Sequence, residues 1–168
     1  MNEIDAQADR LEASVAAILD LRARVDAAAP WGLAELYGTE AEARWGPPEL
    51  LAHLEEMLPY WIGEVERILD AAGADPVAFG RVSTDPVRIG IIGRDRTVPL
   101  RELFARVGAD GPRAARRMRA ITDAEAGRLG IHPTLGEMTI AAMFERFVTS
   151  HIEGHVEQLR DILSSRGA

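Results

Sequence analysis

Three of the four histidines in this chain are spaced in a way that suits a metal ion. His151 and His155 stand four residues apart, and residues at that spacing on a helix lie one above the other on one face. Two imidazoles so placed can grip a single ion. His53, carried by a helix packed alongside, would complete a three-nitrogen site with a position left for water or substrate. The alternative is a pair of core histidines satisfied by hydrogen bonds, since a spacing of four arises easily by chance. Partners are needed in either case, because an unpaired polar group in a core costs about 1–3 kcal/mol. Gly154, between the two, is unfavourable in mid-helix by about 1 kcal/mol relative to alanine. It would leave space for a substrate or a neighbouring backbone.

Composition narrows the chemistry further. The chain has no cysteine, which excludes disulfides, thiolate metal sites, iron–sulfur clusters and a cysteine nucleophile. All 19 basic residues are arginine, so there is no lysine for a Schiff base or a phosphate-binding loop. Any sulfur chemistry would come from a bound thiol. The formal charge of −8 argues against nucleic acid as a partner, because such affinity comes from neutralising phosphates. No apolar stretch approaches the roughly 20 residues of a membrane span. The acidic opening MNEIDAQADR lacks the apolar segment of a signal peptide. A cytoplasmic protein of one domain, residues 1–168, with no membrane partner, is the expectation.

Four segments carry helical periodicity, and none reads convincingly as a strand. The first runs from about Ile4 to Ala28, with apolar residues at near-heptad spacing, and Pro30 and Gly32 end it. The second opens at Gly46-Pro47-Pro48-Glu49, where proline and an acid suit a first turn. It carries the stripe Leu50, Leu54, Met57, Trp61, Val65, Ile68, with a kink expected at Pro59 and a C-cap at Gly73. From about Ala74 to Val98 the prolines and glycines indicate a long connection, in which Val87–Ile92 could make a short strand without a partner. The third helix is expected over about Pro99–Ile121, kinked or broken at Gly111-Pro112. A short helix near Asp123–Leu129 precedes the last, about Glu137–Ser164. The inward stripe of that helix reads Ile140, Phe144, Phe147, His151, His155, Leu159, Ile162. Four helices joined by loops give an all-α antiparallel bundle, in which sites are built from side chains facing the core. Small bundles often pair through an outer helix face, so a homodimer is the expected assembly.

Other metal architectures fit less well. A di-iron bundle wants a glutamate three residues before a histidine, and no histidine here has one. The zincin pattern needs a glutamate directly after the first histidine, where this chain has Ile152.

The stretch Trp45-Gly46-Pro47-Pro48-Glu49-Leu50-Leu51-Ala52-His53-Leu54 is followed about a hundred residues later by His151-x-x-x-His155-x-x-Gln158-Leu159. With His132-Pro133-Thr134-Leu135-Gly136 before the last helix, these segments resemble the DinB/YfiT-like superfamily of metalloenzymes. The resemblance implies a four-helix bundle of up-down-down-up order holding zinc, nickel or iron. Its ligands, matched position by position, would be His53, His151 and His155. The bundle is similar to the N-terminal domain of mycothiol-dependent maleylpyruvate isomerase and to bacillithiol transferases, which implies a low-molecular-weight thiol as a second cofactor.

The expected activity is therefore metal-dependent transfer of a thiol to a small electrophilic substrate. A hydrolase using metal-bound water is the alternative, as is a non-catalytic, stress-related bundle that binds a metal or ligand. A third possibility is a purely structural bundle. Glu56, one turn after His53, could orient a ligand or take a proton from bound water or thiol; its plainer role is a solvated surface acid. Trp61 continues the apolar stripe into the core, while Tyr60 would reach the site mouth. Arg113, Arg116, Arg117 and Arg119 could hold a carboxylate but read better as a solvated basic face. His132 reads as a structural or entrance residue.

Overall fold

Asn2 opens the first helix with a reciprocal cap: its side chain accepts from the Asp5 amide at 2.8 Å, and Asp5 accepts from the Asn2 amide at 3.3 Å. In this computed structural model, which describes residues 2–73 and 75–167, helix α1 runs Glu3–Asp20 and continues after Leu21 as α2, Arg22–Ala27. A 3-10 turn, Ala41–Arg44, leads into α3, Pro47–Asp70, whose first turn holds the two expected prolines. Helix α3 runs unbroken past Pro59 and ends before Gly73, at the extended Ala71. Helix α5, Leu100–Arg119, likewise passes through Gly111-Pro112 without a break.

The segment expected to be a long connection contains helix α4, Pro86–Asp95. Its glycines and proline concealed it. Pro86 stands in the first turn, where no amide is needed, and Asp85 caps the Arg88 amide at 2.9 Å. Strands also occur, contrary to the expectation of none. Strand β1, Val77–Ala78, pairs in parallel with β2, Leu129–His132, and β2 pairs antiparallel with β3, Gly136–Thr139, His132 facing Gly136. Gly136 has φ +75°, the left-handed conformation that closes this hairpin. Between them α5 and β2 are joined by the short α6, Asp123–Ala126.

The last helix starts later than expected, because Glu137 belongs to β3. It comprises α7, Ile140–Met143, a π turn, Phe144–Thr149, and α8, Ser150–Ser165. A π turn accommodates one more residue than an α turn and shifts the phase of everything after it. Val148, Ile152, Val156 and Leu163 are therefore in the core, while Phe147, His151 and Ile162 from the expected stripe are only half-buried.

The fold is thus mostly helical with a small three-stranded sheet, rather than all-α. Helix α5 packs against both α1 and α3, α1 also meets α8 and the π turn, and α4 lies on α3. Leu11, Ile18, Leu54, Met57, Leu103, Phe104, Phe144 and Leu159 form part of one continuous core. No helix among the described residues is long and apolar enough to cross a membrane.

Candidate metal centre

Three elements bring four donor side chains together at the α3–α8 seam. Helix α3 supplies His53, α8 supplies His151 and His155, and the 3-10 turn supplies Glu42. The Nε2 atoms of His53 and His151 are 2.9 Å apart, and those of His151 and His155 are 3.1 Å apart. Glu42 Oε1 stands 3.6 Å from His53 Nε2 and 3.2 Å from each of the other two. Donors about 2.1 Å from one ion are about 3.4 Å apart in a tetrahedron and about 3.0 Å apart at adjacent octahedral corners. The observed separations fall across this range. Among the described residues this is the one such group of histidines and carboxylates.

While Arg88 donates to His53, neutral tautomers leave the cluster unsatisfied. Gln158 Nε2 donates to the carbonyl oxygens of Glu42 at 2.9 Å and Trp45 at 3.4 Å, which turns its Oε1 toward His155 Nδ1 at 3.1 Å. Nδ1 of His155 must then carry the hydrogen, leaving a bare lone pair on Nε2. That lone pair faces Glu42 Oε1, an acceptor, and His151 Nε2. On the other side Arg88 Nη2 lies 3.3 Å from His53 Nδ1, and arginine can only donate. A hydrogen on His53 Nε2 would therefore serve His151, and His155 would be left opposite two acceptors. One cation at the centre satisfies all four atoms, provided Arg88 releases its long contact to His53. Arg88 keeps its ion pair with Glu42 Oε2 and its bond to the Ser83 carbonyl at 2.8 Å.

The ionisation states suit a divalent cation. Burial holds the His53 imidazole well below its ordinary pKa; Glu42 opposes this, and the charges of Arg88 and the other imidazoles reinforce it. Burial alone would raise the Glu42 carboxyl, but His151 and His155, then His53 and Arg88, outweigh it and hold it well below the usual carboxylate range. A neutral imidazole and an ionised carboxylate are the forms that ligate.

Glu42 escaped sequence reasoning because nothing in its spacing marks it among the chain's 27 acids. The turn bearing it is pinned by the buried Glu49, which accepts from the Ala34 amide at 2.9 Å and from Arg96 at 3.2 Å. Glu40, just before the turn, adopts the left-handed conformation at φ 52°, a strained choice for a residue with a side chain.

A cleft of about 620 Å³ opens over Glu42, His53 and His151. Its walls include Met57, Trp61, Arg81, Phe147 and Ser150. Glu56 lies elsewhere. It is buried in an ion pair with Arg81 and lines a neighbouring cleft, the two clefts sharing Arg81 as their common wall. Tyr60 stands at that second cleft, its ring 3.6 Å beneath the Arg81 guanidinium, whereas Trp61 lines the site cleft together with Phe147. None of Arg113, Arg116, Arg117 and Arg119 lines the site cleft; Arg117 pairs with Glu66, Arg119 with Asp9 and Glu12, and Arg113 with Asp110. His132 is buried and stacks on Phe147. Gly154 faces open surface, since a Cβ added there would meet nothing within 4 Å.

Fold and site together define a mostly helical protein with a possible metal-binding cluster of three histidines and a glutamate. No family model, curated protein or solved structure matches the chain.

Proposed function

We propose that this chain is a metal-dependent enzyme that transfers an external nucleophile, a low-molecular-weight thiol or water, to a small electrophilic substrate. The observation that carries the reading is the convergence of three imidazole nitrogens and one carboxylate oxygen, all within 4.8 Å of one another. His53, His151, His155 and Glu42 would hold the ion, and a divalent ion there would bring the pKa of a bound thiol or water close to neutrality. The chain itself offers no cysteine or lysine nucleophile, which favours an external one. Glu42 turns one oxygen toward the imidazoles and the other onto Arg88, so the arginine fixes the carboxylate in the orientation that would face the ion. Gln158 orients His155 and anchors the backbone of Glu42, so the acid and its neighbouring imidazole move together. The open cleft above His53 and His151 gives the substrate its approach.

The same proposal includes a four-helix bundle of up-down-down-up order formed by α1, α3, α5 and α8. It is supported by the packing of those helices and by the resemblance of the His53 and His151–Gln158 segments to the DinB/YfiT-like superfamily. Elemental analysis of untagged protein purified without chelators tests the reading, together with His155→Ala. Near-stoichiometric metal, lost in the variant, and metal-dependent consumption of a thiol with an electrophile are the expected results. Protein that is metal-free and refuses zinc, nickel and iron would overturn it.

A further inference from the structure

The charges lining the site cleft do not balance. Three arginines, Arg81, Arg88 and Arg146, face two glutamates, Glu42 and Glu145, so the cleft is locally positive in a chain of formal charge −8. Four of these five groups are engaged within the protein. Arg81 pairs with Glu56, Arg88 with Glu42, and Glu145 with Arg10 and the Ser150 hydroxyl. Arg146 has no hydrogen-bond or ion-pair partner among the described residues. It is exposed on the π turn, immediately before Phe147.

Beside Arg146 the cleft wall is apolar, made by Met57, Trp61, Val82 and Phe147. The Trp61 and Phe147 rings stack at 4.3 Å with planes 8° apart, and His132 stacks on Phe147 at 5.0 Å and 24°. Gly80 allows that stack, because a Cβ there would come within 2.5 Å of His132. The wall is therefore set before any ligand arrives, which lowers the ordering cost of binding. An unpaired guanidinium beside a fixed apolar surface matches an organic acid, whose carboxylate it can hold through two parallel hydrogen bonds. A positive cleft in an acidic protein also draws anions inward.

We infer that the cleft selects small organic anions, a carboxylate on an apolar body, and that Arg146 is the specificity-determining residue. This names the substrate class for the reaction proposed above and rests on that reading for its chemistry, though not for binding. The test is titration calorimetry with trans-cinnamate and its neutral counterpart cinnamamide. The protein is used as purified, and again after metal removal and dialysis free of chelator. Cinnamate is expected to bind about tenfold more tightly than the amide, a preference that shrinks as salt rises. Arg146→Gln should bring cinnamate down to the level of the amide, while Phe147→Leu should weaken both probes. Equal affinities, failure of cinnamate to bind, or a cinnamate affinity unmoved in Arg146→Gln would overturn the inference. Loss of the metal reading is a separate outcome: a chain that takes up no metal yet prefers cinnamate through Arg146 retains the anion site. A metal-loaded protein indifferent to probe charge retains the metal centre alone.

Discussion

Gln158 is the side chain whose geometry sets the state of its neighbour most directly. Its amide donates to two backbone carbonyls that can only accept, so its oxygen must face His155 Nδ1. Gln158→Leu removes both functions, and the affinity for zinc should fall about 10–100-fold, the usual cost of losing a partner that orients a metal-bound histidine. Competition against a chromophoric chelator measures this, with circular dichroism to confirm retained helix; an unchanged affinity would remove Gln158 from the centre. Glu56→Gln provides the contrast, because Glu56 faces the neighbouring cleft and zinc affinity should be unaltered. The three histidines were legible in the sequence because a spacing of four fixes one helical face, and His53 lies on a clearly bounded helix. Glu42 was not legible: a single 3-10 turn has no period to read, and its carboxylate and backbone carbonyl are held by Arg88 and Gln158, 46 and 116 residues away.

Helix glycines show how element-level sequence rules depend on what packs outside the helix. Gly154 in α8 and Gly111 in α5 both look like defects by propensity. At Gly154 a Cβ would meet nothing, so Gly154→Ala should stabilise the protein by about 1 kcal/mol, a rise of about 2–4 °C in melting temperature, without changing zinc affinity. At Gly111 a Cβ would lie 2.5 Å from Val15 Cγ2 and 2.9 Å from Cγ1, on a β-branched side chain with little freedom to turn away. Gly111→Ala should destabilise by about 1–3 kcal/mol through the forced separation of α1 and α5. Thermal melts of the two variants check both signs, and a destabilised Gly154→Ala would mean that the open surface is occupied. The same dependence explains the missed elements. Helix α4 contains Gly90 and Gly93, whose modest penalties are offset by its Asp85 cap and by Ile89 and Ile92 in the core. Strand β1 has two residues and exists only through pairing with β2, some fifty residues on, a partnership that local pattern does not encode.

Across the whole molecule, packing is uneven in a way that gives the metal centre a mechanical role. Helices α1 and α5 meet along much of their length, whereas α3 touches α8 far less, and the site cleft opens along that thinner seam. Glu42 and His53 lie on one side of it, and His151 and His155 lie about a hundred residues later on the other. An ion held by all four would tie the two sides together, and it would favour the native state because the unfolded chain separates the two pairs of donors by about a hundred residues. At a free concentration a hundred times its dissociation constant, such an ion stabilises the fold by about 2.7 kcal/mol. At about 2–4 °C per kcal/mol for a chain of this size, the melting temperature should rise by roughly 5–10 °C on adding zinc and fall back on adding chelator. His155→Ala should lose most of that increment while Arg146→Gln keeps it, because Arg146 lines the cleft without facing the four donor atoms. Hydrogen exchange should show the added protection concentrated in α8 and the His53 turn of α3, and much less in α1 and α5, whose packing is already extensive. Scanning calorimetry with and without metal decides the matter. A melting temperature indifferent to zinc, nickel and iron, or one that rises equally in His155→Ala, would mean that the four donors do not act as one centre. The seam would then be held by hydrogen bonds and packing alone.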